Sequence, residues 1–412
     1  MNKSPRLVAL ETLYSIFYDG SYSNIALDKA LSDIKENKAF ISALVYGVTE
    51  RKITLDYFID KYAQGRIKPK VRIVLWLGAY QLLFMDKVPS SASINESVKL
   101  VKEIKQDYYS KLVNAVLHKI DNDRQIPDDL SVKYSVPENL INMWKKQYGE
   151  DVLNEFLPCI NDKPPLFAIP NKKFVNSDEL LYELECDGIL GEAYDEFVLI
   201  ENANDLTDSK AFKNGLFYIE DLSSFNCANA LDALGDDLVL DMCSAPGGKA
   251  FTISQSMNNS GKIYCYDLHE HRLNLIKNGA KRLSIDNIFT DVNDATVYNE
   301  NIPKADKILC DVPCSGFGII RRKPEIRYKD LDSVKDLPQI QYKILETSSR
   351  YLKDGGRIIY STCTLNKKEN ENVVNKFLKD HSGYKFLKDK TVFPSTVGGD
   401  GFYYAIMVKN EN

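Results

Sequence analysis

The sequence has few of the residues that most often bind metals or activate nucleophiles. Its 412 residues include only four histidines, and its eight cysteines form no C-x-x-C pair. Neither a zinc site nor a disulfide framework is therefore predicted, and we expect no bound metal. Reduced thiols in a cytoplasmic protein are the simplest interpretation of this cysteine usage.

Long apolar runs are also missing. The longest, near residues 74–85, is interrupted by Tyr80 and Gln81 and is too short to span a bilayer. The first residues, M-N-K-S-P, lead directly into an amphipathic segment that contains Glu11, so no signal peptide is predicted. We expect a monomer that does not associate with membranes.

The formal net charge of −5 disfavours a polyanionic partner at first sight, but the charge is unevenly distributed. Residues 1–125 contain 19 Lys and Arg against 14 Asp and Glu, a net charge of +5. The remainder contains 34 against 44, a net charge of −10. Such an asymmetry is typical of chains with one module that faces nucleic acid, although solvated surface lysines produce it too.

Helical periodicity dominates the first 125 residues. Ser4 followed by Pro5 predicts a helix start, and Asp19–Gly20 predicts its end. Six further helical segments are predicted at 25–31, 39–49, 54–62, 71–84, 92–105 and 110–120. We therefore expect an all-α domain over residues 1–125, with a basic cluster at Lys68, Lys70 and Arg72, and a linker at 121–129.

The rest of the chain mixes helices with strands. Residues 131–215 combine a helical pattern at 138–156 with short extended runs such as 166–169, which predicts a small α+β domain. From 216 to 412, strands alternate with helices, which predicts an α/β domain with a mostly parallel sheet. The predicted strands are 238–242, 262–266, 287–292, 306–311, 357–361 and 402–408.

The stretch D-M-C-S-A-P-G-G-K at 241–249 follows the first of these strands and opens a helix. A buried strand, a turn of small residues and a helix N-terminus form a mononucleotide-binding element. Gly247 and Gly248 allow ligand atoms to approach the backbone closely. The spacing is not G-x-G-x-x-G, which argues against a dinucleotide site.

Polar residues follow the next strands. Asp267 comes nineteen positions after Gly248, where doubly wound folds place a ribose-binding carboxylate. Asp294, after the third strand, is placed to accept from an adenine amino group. Because the carboxyl ends of successive parallel strands meet at one edge, the two aspartates predict a nucleoside-binding cleft.

Two cysteines lie at the same predicted edge. The fourth strand ends in D-V-P-C-S-G, which contains Asp311 and Cys314, and the fifth ends in Y-S-T-C-T, which contains Cys363. Cys227, Cys265 and Cys310 are instead predicted to be small core residues. The histidines, His118, His269, His271 and His381, lie outside these motifs, so no Cys–His dyad is expected.

These motifs resemble the cofactor loop and the two cysteine motifs of RNA cytosine-C5 methyltransferases. The stretches E-D-L-S-S at 220–224 and G-D-G-F-Y-Y-A at 399–405 are also similar to that family. L-G-A-Y-Q-L-L at 77–83 and K-L-V-N-A-V-L at 111–117 resemble a NusB-like RNA-binding domain. The fusion resembles the bacterial Sun or RsmB type, which acts on small-subunit (16S) ribosomal RNA.

The resemblance implies a mechanism and a set of site residues. Cys363 would attack C6 of cytosine, Asp311 would contact N3 of the base, and Cys314 would assist release of the product. Arg321, Arg322, Lys323 and Arg327 would contact RNA phosphates. S-adenosylmethionine would be bound by Cys243, Ser244, Ala245, Pro246, Gly247, Gly248, Lys249, Asp267, Arg272, Asp294 and Asp311.

The chain departs from the family pattern at two places. Thr364 replaces the usual serine after the catalytic cysteine and keeps its hydroxyl. Ile169 stands where the family usually has an arginine, which puts the RNA contact expected there in doubt. Three alternatives stay open: a transfer-RNA cytosine-C5 methyltransferase, a non-catalytic ribosome-assembly factor, and a nicotinamide-dependent oxidoreductase. The last lacks the dinucleotide fingerprint.

Overall fold

A computed structural model describes residues 3–202, 206–394 and 398–411. Residues 1–2, 203–205, 395–397 and 412, which belong to the predicted domains, lie outside the described residues. The chain divides into two compact units. The first comprises Met1–Asp162 and Ile320–Leu331, and the second comprises Lys163–Ile319 and Asp332–Asn412.

The first unit is built from helices. Its helices are α1 (Pro5–Tyr18), α2 (Ser23–Leu31), α3 (Lys38–Tyr62), α4 (Pro69–Phe84), α5 (Ser90–Glu103), α6 (Ser110–Asn122), α7 (Leu130–Tyr134), α8 (Glu138–Tyr148) and α9 (Glu150–Phe156). Ser4 caps α1 by accepting a hydrogen bond from the Leu7 amide at 3.2 Å, as the sequence predicts. The core is formed mainly by leucine, isoleucine and valine from α1 and α3–α6.

Three features of this unit differ from the prediction. The segments predicted as separate helices at 39–49 and 54–62 form the single helix α3, because the four residues between them include no glycine or proline to stop propagation. Conversely, the helix predicted at 138–156 is divided into α8 and α9 at Gly149, whose φ is +91°. Residues 131–162 belong to the helical unit, whereas the predicted boundary assigned them to the α+β domain.

A small four-stranded antiparallel sheet begins the second unit. Its elements are β1 (Phe167–Pro170), α10 (Ser177–Cys186), β2 (Gly191–Tyr194), β3 (Phe197–Ile200), α11 (Lys210–Lys213) and β4 (Phe217–Ile219). The strand order is β2-β3-β1-β4, a β-α-β-β-α-β arrangement. Ile169 pairs with Tyr218 in this sheet and is 1% exposed, so the position where the family usually has arginine is part of the core.

A seven-stranded sheet forms the rest of the second unit. Its elements are α12 (Leu222–Asn229), β5 (Leu238–Asp241), α13 (Gly248–Ser256), β6 (Lys262–Asp267), α14 (Glu270–Arg282), β7 (Ile288–Val292), β8 (Ala305–Asp311), α15 (Leu337–Ser349), β9 (Leu352–Thr362), α16 (Glu371–Asp380), β10 (Tyr384–Val392) and β11 (Phe402–Lys409). The order is β10-β11-β9-β8-β5-β6-β7.

The strand directions confirm the predicted α/β class. Strands β9, β8, β5, β6 and β7 run parallel, and at one edge β11 pairs antiparallel with both β9 and β10. Strand β10 was not predicted, because its exposed lysines and aspartates hide the alternation of a half-buried strand. Among the described residues, no helix is long and apolar enough to cross a membrane.

Candidate active site

The loop after β5, at residues 241–249, packs its backbone against the carboxylate of Glu220. Gly247 caps α13 with a φ of +111°, a conformation that favours glycine. A Cβ on Gly248 would lie 1.7 Å from Oε2 of Glu220, so a side chain at this position would require the Glu220 carboxylate to move. The two glycines therefore let the loop pack closely against the Glu220 carboxylate at the edge of the sheet.

A cavity of about 510 Å³ borders this loop. Its lining includes the carboxylates of Glu220, Asp241 and Asp311 and the ammonium of Lys249. Both carboxylate oxygens of Asp241 and Oε2 of Glu220 are buried, and among the described residues no hydrogen bond of good geometry reaches them. The Ser244 hydroxyl and the Cys243 amide lie close enough to Asp241 to favour its charged form. Burial raises the pKa of Asp241 and that of Glu220 to about 7. The cavity is thus suited to a ligand that donates hydrogen bonds or carries positive charge.

Asp311, at the end of β8, is held on both oxygens. Lys249 Nζ lies 2.8 Å from Oδ2, and the Ser361 hydroxyl donates to Oδ1 at 2.8 Å. Burial alone would lower the pKa of Lys249, but the negative charges of Asp311 and Glu220 outweigh it and raise that pKa. The Asp311 carboxylate therefore has a fixed orientation beside a cation.

The two other predicted aspartates lie at the ends of neighbouring strands. Asp267, which ends β6, is 4% exposed and accepts from the His269 amide at 3.0 Å. Arg272 is 3.0 Å from Oδ2 of Asp267 and donates to the Ala245 carbonyl at 2.8 Å, which ties the loop at 241–249 to α14. Asp294 follows β7, is exposed, and accepts from the amide and hydroxyl of Thr296.

The side chains of the two predicted site cysteines are in contact. Cys314 follows β8, Cys363 follows β9, and their sulfur atoms are 3.2 Å apart. The hydrogen bond to Cys363, burial, and the charges of Glu369 and Asp311 raise the pKa of the Cys314 thiol. Cys227, Cys265 and Cys310 are completely buried, which confirms that they are core residues.

Sequence reasoning missed Glu369. This carboxylate is 0% exposed and accepts four hydrogen bonds, two of them from Ser315, the residue after Cys314. In the sequence it stands in the polar run N-K-K-E-N-E-N, which is typical of a solvated helix start. No local signal separates it from its neighbours.

The basic residues predicted to contact RNA differ in their exposure to solvent. Arg327 is 0% exposed, and its Nη1 donates to the carbonyls of Glu50 at 2.9 Å and Ser135 at 3.2 Å. A guanidinium buried in this way inside the helical unit is not available to a phosphate, so the prediction for Arg327 is wrong. Arg321 is also buried, whereas Arg322 and Lys323 are partly exposed.

The predicted basic cluster of the helical unit is partly neutralised. Arg72 lies 2.6 Å from Asp56 and also pairs with Asp60. Lys68 donates to Gln106 at 3.0 Å, and the Lys70 ammonium lies 5.5 Å from the centre of the Tyr14 ring. The two lysines thus keep their charge available to a partner, and Arg72 largely does not.

Comparisons with known proteins identify the family. Residues 228–408 match the model "16S rRNA methyltransferase RsmB/F", and residues 3–122 match the model "NusB family". The "Probable ribosomal RNA small subunit methyltransferase B" of Bacillus subtilis (strain 168) is 32% identical over 98% of this chain and 99% of its own length. The chain belongs to the ribosomal RNA small subunit methyltransferase B family. A further member, from Photorhabdus laumondii, is 28% identical over 98% of both chains.

Solved structures share the fold of this methyltransferase family member. The crystal structure of PH0851 is 26% identical, covers 99% of this chain and 100% of its own, and superposes with a TM-score of 0.83. A methyltransferase homologue from Pyrococcus horikoshii is 25% identical over 68% of this chain and 98% of its own, with a TM-score of 0.60. Together with the family models, these likenesses confirm the predicted NusB-like and Rossmann-like folds.

Proposed function

We propose that this protein methylates C5 of a cytosine in small-subunit ribosomal RNA, with S-adenosylmethionine as methyl donor and Cys363 as nucleophile. The observation that carries the proposal is the pair of thiols 3.2 Å apart at the sheet edge that also holds Asp311 and the glycine-rich loop. The names of the relatives support ribosomal RNA over transfer RNA as the substrate.

The chemistry follows from the weak nucleophilicity of C5. Attack of the Cys363 thiolate on C6 makes C5 enamine-like, and Asp311 stabilises the adduct by a contact at N3 of the base. When bound, S-adenosylmethionine supplies the methyl group. Cys314 assists the last step as the base that accepts the C5 proton. The electron pair of that C–H bond re-forms the C5–C6 double bond, and the Cys363 thiolate leaves C6. The base must leave its helix or loop to reach the thiols, at a cost of a few kcal/mol.

The residues at the loop fit the methyl donor. S-adenosylmethionine carries a sulfonium and an ammonium group, and the buried carboxylates of Asp241 and Glu220 line the cavity. Positively charged ligand groups bind favourably at such a site, because they replace the interactions with water that the buried carboxylates have lost. Asp267, Arg272 and Asp294 would hold the adenosine part at the ends of β6 and β7.

RNA binding is assigned to exposed cations. The +5 excess within residues 1–125 and the partly exposed Arg322 and Lys323 supply phosphate contacts in this proposal. Lys68 and Lys70 would contribute in the same way.

The test separates the roles of the two cysteines. Cys363→Ala should show neither methyl transfer nor a protein–RNA adduct, because no covalent bond can form. Cys314→Ala should accumulate an RNA-linked species that requires S-adenosylmethionine and survives denaturing electrophoresis. The double variant should lose that species.

Reversed behaviour of the two single variants would exchange their roles. Absence of adduct from both, with each variant folded and binding RNA, would contradict the two-cysteine mechanism. Bisulfite mapping of ribosomal and transfer RNA from cells that lack the protein identifies the substrate. A lost 5-methylcytosine in transfer RNA alone would contradict the ribosomal assignment.

A further inference from the structure

Glu369 is a buried carboxylate without a cationic partner among the described residues. It lies in the loop between β9 and α16 and is completely buried. Four neutral donors compensate its charge. Oε1 accepts from the Ser315 hydroxyl at 2.6 Å and from Asn366 at 2.8 Å, and Oε2 accepts from the Ser315 amide at 2.8 Å and from Gln341 at 3.0 Å. A carboxylate is retained in such a place only because its hydrogen bonds are complete.

These hydrogen bonds reach both sides of Cys314. Ser315 follows the cysteine and is held through its amide and its hydroxyl. Gln341, which donates to Glu369, also donates to the carbonyl of Pro313 at 3.0 Å. The peptide on each side of Cys314 is therefore tied to Glu369, directly or through one amide.

The next residue, Asn370, holds Cys363 in the same manner. The Thr362 hydroxyl donates to Oδ1 of Asn370 at 2.6 Å, and Nδ2 of Asn370 donates to the Thr364 carbonyl at 2.8 Å. Thr362 and Thr364 flank Cys363 in the chain. Adjacent residues of one loop thus anchor the two cysteine loops.

The hydroxyls of Thr364 and Ser315 form a hydrogen-bonded chain that ends at Glu369, and each hydroxyl in it donates toward the carboxylate. An ionised carboxylate can only accept, so the Ser315 hydroxyl donates to Glu369. The Thr364 hydroxyl, 2.7 Å from Ser315 Oγ, must then donate to Ser315, and it accepts from the Phe317 amide at 3.3 Å. The Thr364 hydroxyl makes this hydrogen bond to Ser315, and the serine that is usual at position 364 in the family would supply the same hydroxyl.

We propose that Glu369 is a positioning residue that, together with Asn370, holds the loops of Cys314 and Cys363 so that the two thiols keep one separation and one relative direction. The proposal rests on the two-cysteine function proposed above. It assigns the carboxylate no contact with RNA or cofactor. Its charge also contributes to the raised pKa of the Cys314 thiol, after the hydrogen bond to Cys363 and burial.

The test uses the full-length protein and measures the thiols without RNA or S-adenosylmethionine. Diamide oxidises a pair of neighbouring thiols to a disulfide and is itself reduced to the hydrazine, and peptide mass spectrometry quantifies the Cys314–Cys363 product. In Glu369→Gln, the new side-chain NH2 group faces donors that hydrogen-bonded to the carboxylate, so at least one of these hydrogen bonds is lost. Disulfide formation should slow by about tenfold or more, because the reaction requires a specific sulfur geometry.

Two further readouts separate positioning from general support of the fold. Loss of the Glu369 charge should move the pH midpoint for iodoacetamide alkylation of Cys314 downward, because a nearby negative charge disfavours the thiolate. Single-turnover methyl transfer should fall by about 100-fold, the cost of a displacement near 1 Å. Glu371→Gln is the matched control. It removes the same carboxylate charge from a partly buried side chain two residues after Glu369. It should leave both thiol readouts unchanged.

A folded Glu369→Gln variant with an unchanged disulfide rate and an unchanged Cys314 midpoint would overturn the proposal. If that variant does not fold, Thr364→Val removes only the connecting hydroxyl and should slow disulfide formation, and Thr364→Ser should restore the rate. Equal rates for those two variants would also overturn it. Because the thiol measurements need no RNA, absence of methyl transfer from the unmodified protein would contradict the proposed function and leave this inference standing.

Discussion

At the scale of single residues, buried carboxylates give the site its pH dependence. Asp241 is 1% exposed, and the nearby Ser244 hydroxyl and Cys243 amide do not offset the effect of its burial. Burial raises its pKa to about 7, against about 3.9 for an aspartate in an unfolded chain. Below about pH 4 the group is protonated in both states. As the pH rises to about 7, the unfolded chain ionises first, so the contribution of Asp241 to stability is progressively lost.

Asp241→Asn should remove this dependence. Without S-adenosylmethionine, the melting temperature of the original protein minus that of the variant should decrease between pH 5 and pH 8. Differential scanning fluorimetry across this range provides the measurement. A difference that grows with pH would mean that Asp241 is ionised and stabilised in the folded state.

Asp267 is the residue whose loss should most directly weaken cofactor binding. Asp267→Ala removes charge-assisted hydrogen bonds worth roughly 1.5–3 kcal/mol, whereas a tenfold change in affinity needs only about 1.4 kcal/mol. We expect S-adenosylmethionine to bind at least about tenfold more weakly by titration calorimetry. Asp286→Ala, an exposed position of equal charge before β7, is the control and should bind normally. Equal affinities for the two folded variants would refute the ribose assignment.

At the scale of elements, the short helical segment Pro324–Tyr328 is anchored in the helical unit by Arg327. Besides its bonds to the carbonyls of Glu50 and Ser135, the guanidinium donates to Oδ1 of Asn161 at 2.9 Å. Removing it leaves several buried acceptors without a donor, and each unsatisfied group costs about 1–3 kcal/mol. The segment is therefore a structural part of this unit.

Arg327→Ala should lower the free energy of unfolding of the helical unit by roughly 2–4 kcal/mol. Lys323→Ala, four residues earlier and partly exposed, should change it by less than about 0.5 kcal/mol. Urea titration followed by circular dichroism gives both values. Similar stabilities for the two variants would show that the Arg327 hydrogen bonds are readily replaced by water.

At the scale of the whole molecule, each of the two units contains hydrophobic core clusters of its own among the described residues. A ligand that binds only one folded unit stabilises that unit alone, by about 2.7 kcal/mol at a concentration of 100 times its dissociation constant. In calorimetry, S-adenosylmethionine should raise the transition of the second unit, and Arg327→Ala should lower that of the first. A single transition that moves as a whole in both experiments would contradict independent stability of the units.

Much of the site could be predicted from the sequence because parallel strands place their carboxyl ends at one edge. Asp267, Asp311, Cys314 and Cys363 each follow a recognisable apolar strand, so their proximity follows from local patterns and one topological rule. The helices of the first unit were predictable for a similar reason, since apolar spacing and caps such as Ser4 are local signals.

Only the tertiary structure decided the roles of Arg327 and Glu369. The partners of Arg327, at residues 50, 135 and 161, are far away in the chain, and its own segment is typical of a solvated basic loop. Glu369 contacts Ser315 across 54 positions of sequence. Whether a charged side chain is exposed to water or buried among donors depends on which distant segments surround it, and local sequence patterns carry no information about that.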